Sequence, residues 1–119
     1  MPSKSRNQYE AKLLRYALRF PEAYEDHPWD ERVVKVGKKI FVFFHGRENE
    51  LAVTTKLPFS SVPALSLPFT APTGYGLGKA GWVTATFSSA EAPPIELLQE
   101  WIEESYRAVA PKKLVRLLS

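Results

Sequence analysis

Residues 32–44, with the sequence RVVKVGKKIFVFF, contain two runs of β-branched and aromatic residues separated by Gly37, Lys38 and Lys39. Such runs favour strands, because branched and aromatic side chains pack well on a pleated surface. A glycine followed by one further residue is typical of a two-residue hairpin turn. The sequence therefore predicts a hairpin whose turn is Gly37-Lys38. In this register Val36 lies opposite Lys39, Lys35 opposite Ile40 and Val34 opposite Phe41.

Further strands are predicted on the C-terminal side of this hairpin. The polar stretch 46–50 separates it from the apolar run Leu51–Leu57, which makes a second hairpin. Prolines at positions 58, 63, 68 and 72 then interrupt the chain, so only a short helical turn around Val62–Leu67 is expected. The last strand is Trp82–Phe87, which follows a glycine-rich loop.

Helices are predicted on both sides of the strands. In Tyr9–Phe20 the apolar residues recur at three- and four-residue steps, which indicates a helix with one buried face, and Pro21 ends it. Pro93-Pro94 precedes a second such segment, which extends from Ile95 to about Val109. A final short helix, Lys112–Leu118, follows the next proline.

This order of elements predicts an α+β fold. We expect an antiparallel sheet of about four strands, with the N-terminal and C-terminal helices packed on one face of it. The length fits one domain over residues 1–119, with residues 1–6 as a flexible N-terminus.

Alternation along the strands assigns side chains to the two faces of the sheet. The face toward the helices is expected to carry Val34, Val36, Phe41, Phe43, Leu51, Val53, Val83, Ala85 and Phe87. The opposite face then carries Lys35, Ile40, Val42, Thr54, Lys56, Trp82, Thr84 and Thr86. Because this second face is half polar, it is either a binding platform or a surface covered by the proline-rich segment 58–80.

Composition and charge exclude several classes of protein. The chain is 45% apolar and 24% charged, which is not the composition of a disordered chain, and it has no apolar run long enough to span a membrane. No signal peptide is recognisable, so we expect a cytoplasmic protein. The net charge is +3, with basic blocks at 1–20, 32–47 and 105–119 and acidic blocks at 21–31 and 91–104. These blocks either neutralise one another across the fold or form the basic face typical of a protein that binds nucleic acid.

Residues that carry chemistry are few. The chain has no cysteine, and its two histidines, His27 and His45, lack the spacing of a metal site. The glycine-rich segment 74–78 lacks the pattern of a phosphate-binding loop. We therefore expect no enzymatic activity, no metal and no cofactor.

Several motifs taken together resemble the MmcQ/YjbR family. They are Pro21–Trp29 (PEAYEDHPW), Val34–Phe41 (VKVGKKIF), Val53–Leu57 (VTTKL), Gly74-Tyr75, Gly78-Lys79, Gly81–Thr84 (GWVT) and Glu104–Tyr106 (ESY). They occur in order from about Leu13 to Leu118, over nearly the whole chain. The resemblance implies a compact α+β fold similar to the frataxin-like arrangement, with a motif called the double wing. It also implies DNA binding, the activity by which the family is commonly labelled, and no enzymatic activity.

The resemblance implies that the two wings of this chain are the hairpins around Gly37-Lys38-Lys39 and Gly46-Arg47. Two positions depart from the pattern of the family: Asp30 stands where many relatives have glycine, and Lys38 replaces the second glycine of a two-glycine turn. The resemblance implies phosphate contacts from Lys35, Lys38, Lys39, Arg47, Lys56 and Lys79, with stacking on bases or sugars by Trp82 and Tyr75. Since no basic recognition helix is evident, we expect weak and largely sequence-independent binding.

An alternative is a binding module for a small anionic ligand or a protein partner. The groove between the sheet and the segment 58–80 would hold it, and the rim would be formed by Tyr75, Lys79, Trp82 and Lys56. Mixed aromatic and cationic rims suit such ligands. In either case we expect a monomer with no membrane partner.

Overall fold

The computed structural model describes residues 7–28, 31–74 and 77–118. The expected flexible N-terminus, residues 1–6, and the departure at Asp30 lie outside the described residues. The helices are α1 (Gln8–Ala17), α2 (Ser61–Leu65), α3 (Ile95–Val109) and α4 (Lys112–Val115), with 3-10 helices at Leu77–Ala80 and Arg116–Leu118. The strands are β1 (Ala23–Asp26), β2 (Arg32–Val36), β3 (Lys39–Phe44), β4 (Leu51–Lys56), β5 (Thr70–Pro72) and β6 (Trp82–Phe87).

The strands form one antiparallel sheet in the order β1-β2-β3-β4-β6-β5. The predicted α+β class is confirmed, and the four predicted strands are the central ones, β2, β3, β4 and β6. The sheet has six strands rather than four, because β1 and β5 add one strand at each edge. Both edge strands are short and lie close to prolines, and Pro72 itself belongs to β5. A proline is tolerated there because an edge strand leaves one row of backbone groups unpaired.

The first hairpin has the predicted turn but contains a bulge that was not predicted. Val36 pairs with Lys39 and Lys35 with Ile40, as expected, and Gly37 has a φ of 63° in the left-handed region that glycine tolerates. Val34, however, pairs with Val42 instead of Phe41. Phe41 is therefore an extra residue in β3, which is the definition of a β-bulge.

The bulge changes which side chains face the helices. Phe41 and Val42 both lie fully buried in the main core, while Phe43 lies on the opposite face, where its ring contacts Trp82. The predicted faces of Val42 and Phe43 are therefore wrong: Val42 faces the helices, and Phe43 faces the opposite side of the sheet. One additional residue reverses the alternation for the rest of a strand, because successive side chains point to opposite faces.

Helices α1 and α3 pack on one face of the sheet and close the core. Leu13 and Ala17 of α1 are buried there, together with Leu98, Trp101, Ile102 and Tyr106 of α3. The Tyr106 ring stacks on Phe20 at 4.9 Å and meets Phe41 edge-on at 5.1 Å. These contacts join the end of α1, the bulge and α3 in one aromatic cluster.

The segment 58–69 also packs on the helical side of the sheet. Ala64 of α2 is buried in the core, and the Phe69 ring lies 4.8 Å from Phe87 and 6.5 Å from Trp101. These residues therefore do not cover the polar face of the sheet. Across the described residues, the helices are too short or too polar to cross a membrane.

Candidate nucleic-acid interface

The two predicted wings lie at opposite ends of the sheet. The Gly37-Lys38 turn joins β2 to β3 at one end, and the loop 45–50 joins β3 to β4 at the other end. A strand of the length of β3 spans about 20 Å at about 3.3 Å per residue. Arg47 is therefore separated from Lys38 by the length of the sheet, and the two wings do not form one surface.

Four of the other predicted contacts gather at the end that carries Gly37. Lys38 and Lys39 are exposed at the turn. Lys56 is the last residue of β4 and lies opposite Trp82, the first residue of β6. Lys79 belongs to the 3-10 helix just before Trp82, although its side chain lies outside the described part of the chain.

Lys35 is engaged within the protein. Its Nζ lies 3.2 Å from an oxygen of Asp26 and 6.0 Å from the centroid of the Tyr24 ring, both on the neighbouring strand β1. The backbone N–H of His27 and the Lys35 ammonium lower the pKa of Asp26 below its ordinary value. Asp26 therefore keeps its charge and holds Lys35, which makes Lys35 a weaker candidate for a phosphate contact than Lys38 or Lys39.

The edge strand β1 also supports the first turn. The Tyr24 hydroxyl donates to the Gly37 carbonyl at 2.5 Å. This bond attaches the turn to β1, so the backbone that carries Lys38 is held from two sides. Sequence reasoning did not assign Tyr24 a role, because β1 itself was not predicted.

The C-terminal basic residues follow directly after the end of α3, which lies at the same end of the sheet. The Ser105 hydroxyl bonds to the backbone of Phe41 and Lys56, and the Tyr106 hydroxyl donates to the carbonyl of Pro21. These contacts place the C-terminal end of α3 next to the Gly37 end, and α4 follows directly. We call this region the basic end; its cations with described side chains are Lys38, Lys39, Lys56, Lys112, Lys113 and Arg116.

Sequence reasoning did not list the α4 cations as contacts, because their position depends on the direction of α3. Glu22 is an acidic residue in the same region. It lies close enough to Tyr106 to raise the pKa of that phenol further, although burial is the larger cause of the rise.

The polar face of the sheet is a connected hydrogen-bond network. Thr54 bonds to His45 Nε2 at 2.7 Å and to the Thr84 hydroxyl at 2.8 Å, and Thr84 bonds to Thr73 at 3.0 Å. Thr54 is only 1% exposed, although it lies on the face that was expected to be half wet. The hydroxyls of Thr54, Thr73 and Thr84 therefore have hydrogen-bond partners inside the protein.

Aromatic side chains surround this network. The Phe43 ring lies 5.6 Å from Trp82 and 6.5 Å from His45, edge-on in both cases. Trp82 is therefore half-buried against Phe43 and has part of its surface available for stacking. Burial lowers the pKa of His45 more than the nearby carboxylates of Glu31 and Glu50 raise it.

The alternative ligand groove is only partly described. Lys56 and Trp82 do lie side by side, whereas Tyr75 and the Lys79 side chain lie outside the described residues. The groove that the segment 58–69 does form faces α3, with a volume of about 390 Å³, and includes Glu100 and Glu104 in its lining. Two carboxylates in this groove disfavour an anionic ligand. Among the residues that the structure describes, no three His, Asp or Glu side chains cluster as a metal site requires.

Comparisons with known proteins agree with the resemblance noted in the sequence. The YjbR family model matches residues 18–108, which extends from the end of α1 into the last turn of α3 and leaves out α4. The crystal structure of Deinococcus radiodurans protein DR2400, described with the family-model domain DUF419, is similar to this chain with a TM-score of 0.70. The match has 25% sequence identity and covers 99% of this chain and 90% of that one. No curated protein matches the chain.

Proposed function

We propose that this chain, which belongs to the YjbR family, is a monomeric DNA-binding module without enzymatic activity that holds the phosphate backbone at its basic end. The observation that carries the proposal is that the cations of the Gly37-Lys38 turn and of the end of β4 lie at one end of the sheet. The basic helix α4 follows the end of α3 that contacts this same end. Clustered cations attract a polyanion and release its counterions on binding. Contacts of this kind position a protein on DNA without reading its sequence, so we expect dissociation constants of about 10⁻⁴ to 10⁻⁶ M at physiological salt.

The two exposed lysines of the turn support this proposal. Within the described part of the chain, no ion pair engages Lys38 or Lys39, while Lys35 is held by Asp26 and Arg107 by Glu103. Lys38 and Lys39 therefore reach a phosphate without first breaking a contact inside the protein. The Tyr24 hydroxyl bond to Gly37 limits the conformational entropy that the turn loses on binding.

The test is fluorescence anisotropy of a labelled duplex of about 20 base pairs, titrated with protein at two salt concentrations. We expect micromolar binding that weakens steeply with salt. The double variant Lys38→Glu/Lys39→Glu reverses two charges at the basic end and should abolish binding. Arg47→Glu reverses one charge at the far end of the sheet and should leave the affinity nearly unchanged; the single variant Lys38→Glu, which should weaken binding, is its matched comparison.

Two outcomes would contradict the proposal in different ways. Equal losses of affinity for the Arg47 variant and the double variant would show that the basic end is not the contact surface. Absence of binding even at low salt would show that the chain is not a DNA-binding protein.

The alternative function is the binding of a small anionic ligand beside Lys56 and Trp82. The observation that favours it is the direct pairing of a cation and a half-buried indole on neighbouring strands. It predicts that millimolar anionic metabolites raise the melting temperature, and that Lys56→Gln removes this effect. No rise with any anion tested would exclude it at these concentrations.

A further inference from the structure

Three large apolar side chains project from the helical side of the protein into solvent. Phe59 is 88% exposed, Val62 81% and Leu65 37%. They recur at three-residue steps through the turn before α2 and through α2 itself, while Ala64 is directed into the core. We call these three residues the α2 ridge. Apolar side chains gathered in one exposed patch are typical of a site that binds another molecule.

The α2 ridge is held rigidly by α3. The carboxylate of Glu104 accepts hydrogen bonds from the backbone N–H of Phe59 at 2.8 Å, from the backbone N–H of Ser60 at 3.0 Å and from the Ser60 hydroxyl at 2.6 Å. Prolines at positions 58, 63 and 68 further restrict the backbone of this segment. A surface ordered in advance loses little conformational entropy when a partner binds, which favours an aromatic anchor such as Phe59.

The border of the α2 ridge is acidic. Two shallow grooves, of about 330 and 390 Å³, include Glu100 in their lining, and Phe59 belongs to the first of them. Glu100 is exposed. Glu103 is paired at 2.8 Å with Arg107, which also lines the first groove, so this pair adds no net charge there. The partner that complements this surface therefore combines apolar side chains with positive charge.

We propose that the α2 ridge and Glu100 form a docking surface for a basic amphipathic segment of a protein partner. The apolar face of the segment covers Phe59, Val62 and Leu65, and its flanking Lys or Arg side chains lie against Glu100. DNA does not fit this surface, because the carboxylates repel phosphate. The inference does not depend on the proposed DNA binding, since none of its residues is among the cations proposed to contact phosphate.

The probe is a synthetic peptide of about 18 residues with leucines on one helical face and lysines on the other, long enough for about five helical turns. A matched peptide carries glutamates in place of the lysines. Both are titrated into the isotope-labelled protein and followed by NMR. We expect the lysine peptide to shift the amide signals of residues 59–65 and 100–104, and to bind more than about tenfold more tightly than the glutamate peptide.

Variants then distinguish binding at the docking surface from non-specific hydrophobic binding of the peptide. Phe59→Ser/Val62→Ser should weaken the lysine peptide by more than about tenfold with an unchanged melting temperature, because both side chains are exposed. Leu117→Ser, at a 67% exposed apolar residue of the C-terminal 3-10 helix, is the matched control and should change nothing. Glu100→Gln should weaken the lysine peptide but not the glutamate peptide.

Four results would overturn the inference. The first is no binding of the lysine peptide up to millimolar concentration, and the second is equal binding of the two peptides. The third is signal shifts that lie outside the α2 ridge and α3. The fourth comes from sedimentation of the free protein: a concentration-dependent dimer that the Phe59→Ser/Val62→Ser variant abolishes would make the occupant a second copy of this chain.

Discussion

Removal of one buried hydroxyl, in Ser105→Ala, should destabilise the protein strongly. Ser105 is fully buried, and its Oγ donates to the Phe41 carbonyl at 2.5 Å while accepting from the Lys56 N–H at 2.9 Å. Continuing the Val42–Thr55 register by one residue would place Phe41 opposite Lys56. The Ser105 hydroxyl therefore takes the place of a ladder bond at the end of the β3–β4 pair.

The magnitude follows from the two backbone groups that alanine leaves without a partner. A buried donor or acceptor that loses its hydrogen bond costs about 1–3 kcal/mol. Two such groups, with some relaxation of the strands, give about 3 kcal/mol, which is a large part of the roughly 5–15 kcal/mol that stabilises a typical domain. At a urea dependence of about 1–3 kcal/mol per M, the unfolding midpoint should fall by about 1–3 M.

The assay is urea unfolding followed by circular dichroism, with hydrogen exchange of the Lys56 amide as a local measurement. Ser66→Ala is the matched control: its hydroxyl also donates to a backbone carbonyl, that of Pro63 at 2.7 Å, but it is exposed and water replaces it. We expect a loss below about 0.5 kcal/mol for this control. A similarly small loss for Ser105→Ala would refute the reasoning, since it would mean that Phe41 and Lys56 bond directly once the hydroxyl is removed.

Three further perturbations test other parts of the structure. Gly37→Ala should lower the free energy of unfolding, measured by thermal unfolding, by about 1–2 kcal/mol, because a φ of 63° is strained for a residue with a Cβ. The added Cβ itself meets no neighbouring atom, so the cost comes from the backbone alone, and Gly37→Asn should cost less because asparagine tolerates this conformation better. Burial lowers the pKa of His45 in the folded state below the ordinary 6.5, so the unfolded state binds the proton first as the pH falls. The free energy of unfolding should therefore decrease as the pH is lowered through about 6.5, and His45→Gln should show a smaller decrease in the same titration. Glu104→Gln should speed hydrogen exchange at residues 59 and 60, and exchange rates equal to wild type would contradict the anchoring role of this carboxylate.

Local sequence signals were sufficient for the first hairpin and the long helix. The Gly37 turn pairs Val36 with Lys39 as expected, because a two-residue turn sets the register within a few residues of itself. Helix α3 covers Ile95–Val109 as expected, because its apolar positions repeat with the helical period. Both features depend on neighbours in the chain, so the residue pattern is enough to predict them.

The candidate site was predicted less completely than the fold. Lys38, Lys39, Lys56 and Trp82 do lie at one end of the sheet, but Arg47 lies at the other end, since consecutive turns of an antiparallel meander alternate between the two ends. The basic helix α4 follows the end that carries Lys38 only because α3 runs back across the sheet. That direction is set by packing on the core, which no short motif encodes.

The amino-acid pattern alone determines the fold class, the central four strands and the family, since each rests on periodicity or on motifs within short segments. The bulge at Phe41 depends on the tertiary structure. Its backbone carbonyl is satisfied by Ser105 and its ring packs on Tyr106, both more than 60 positions away in the chain. The edge strands β1 and β5 also depend on the tertiary structure, because their hydrogen bonds form only when a central strand is already in place. Contacts between distant residues therefore decide which side chains face the core and where the cations gather.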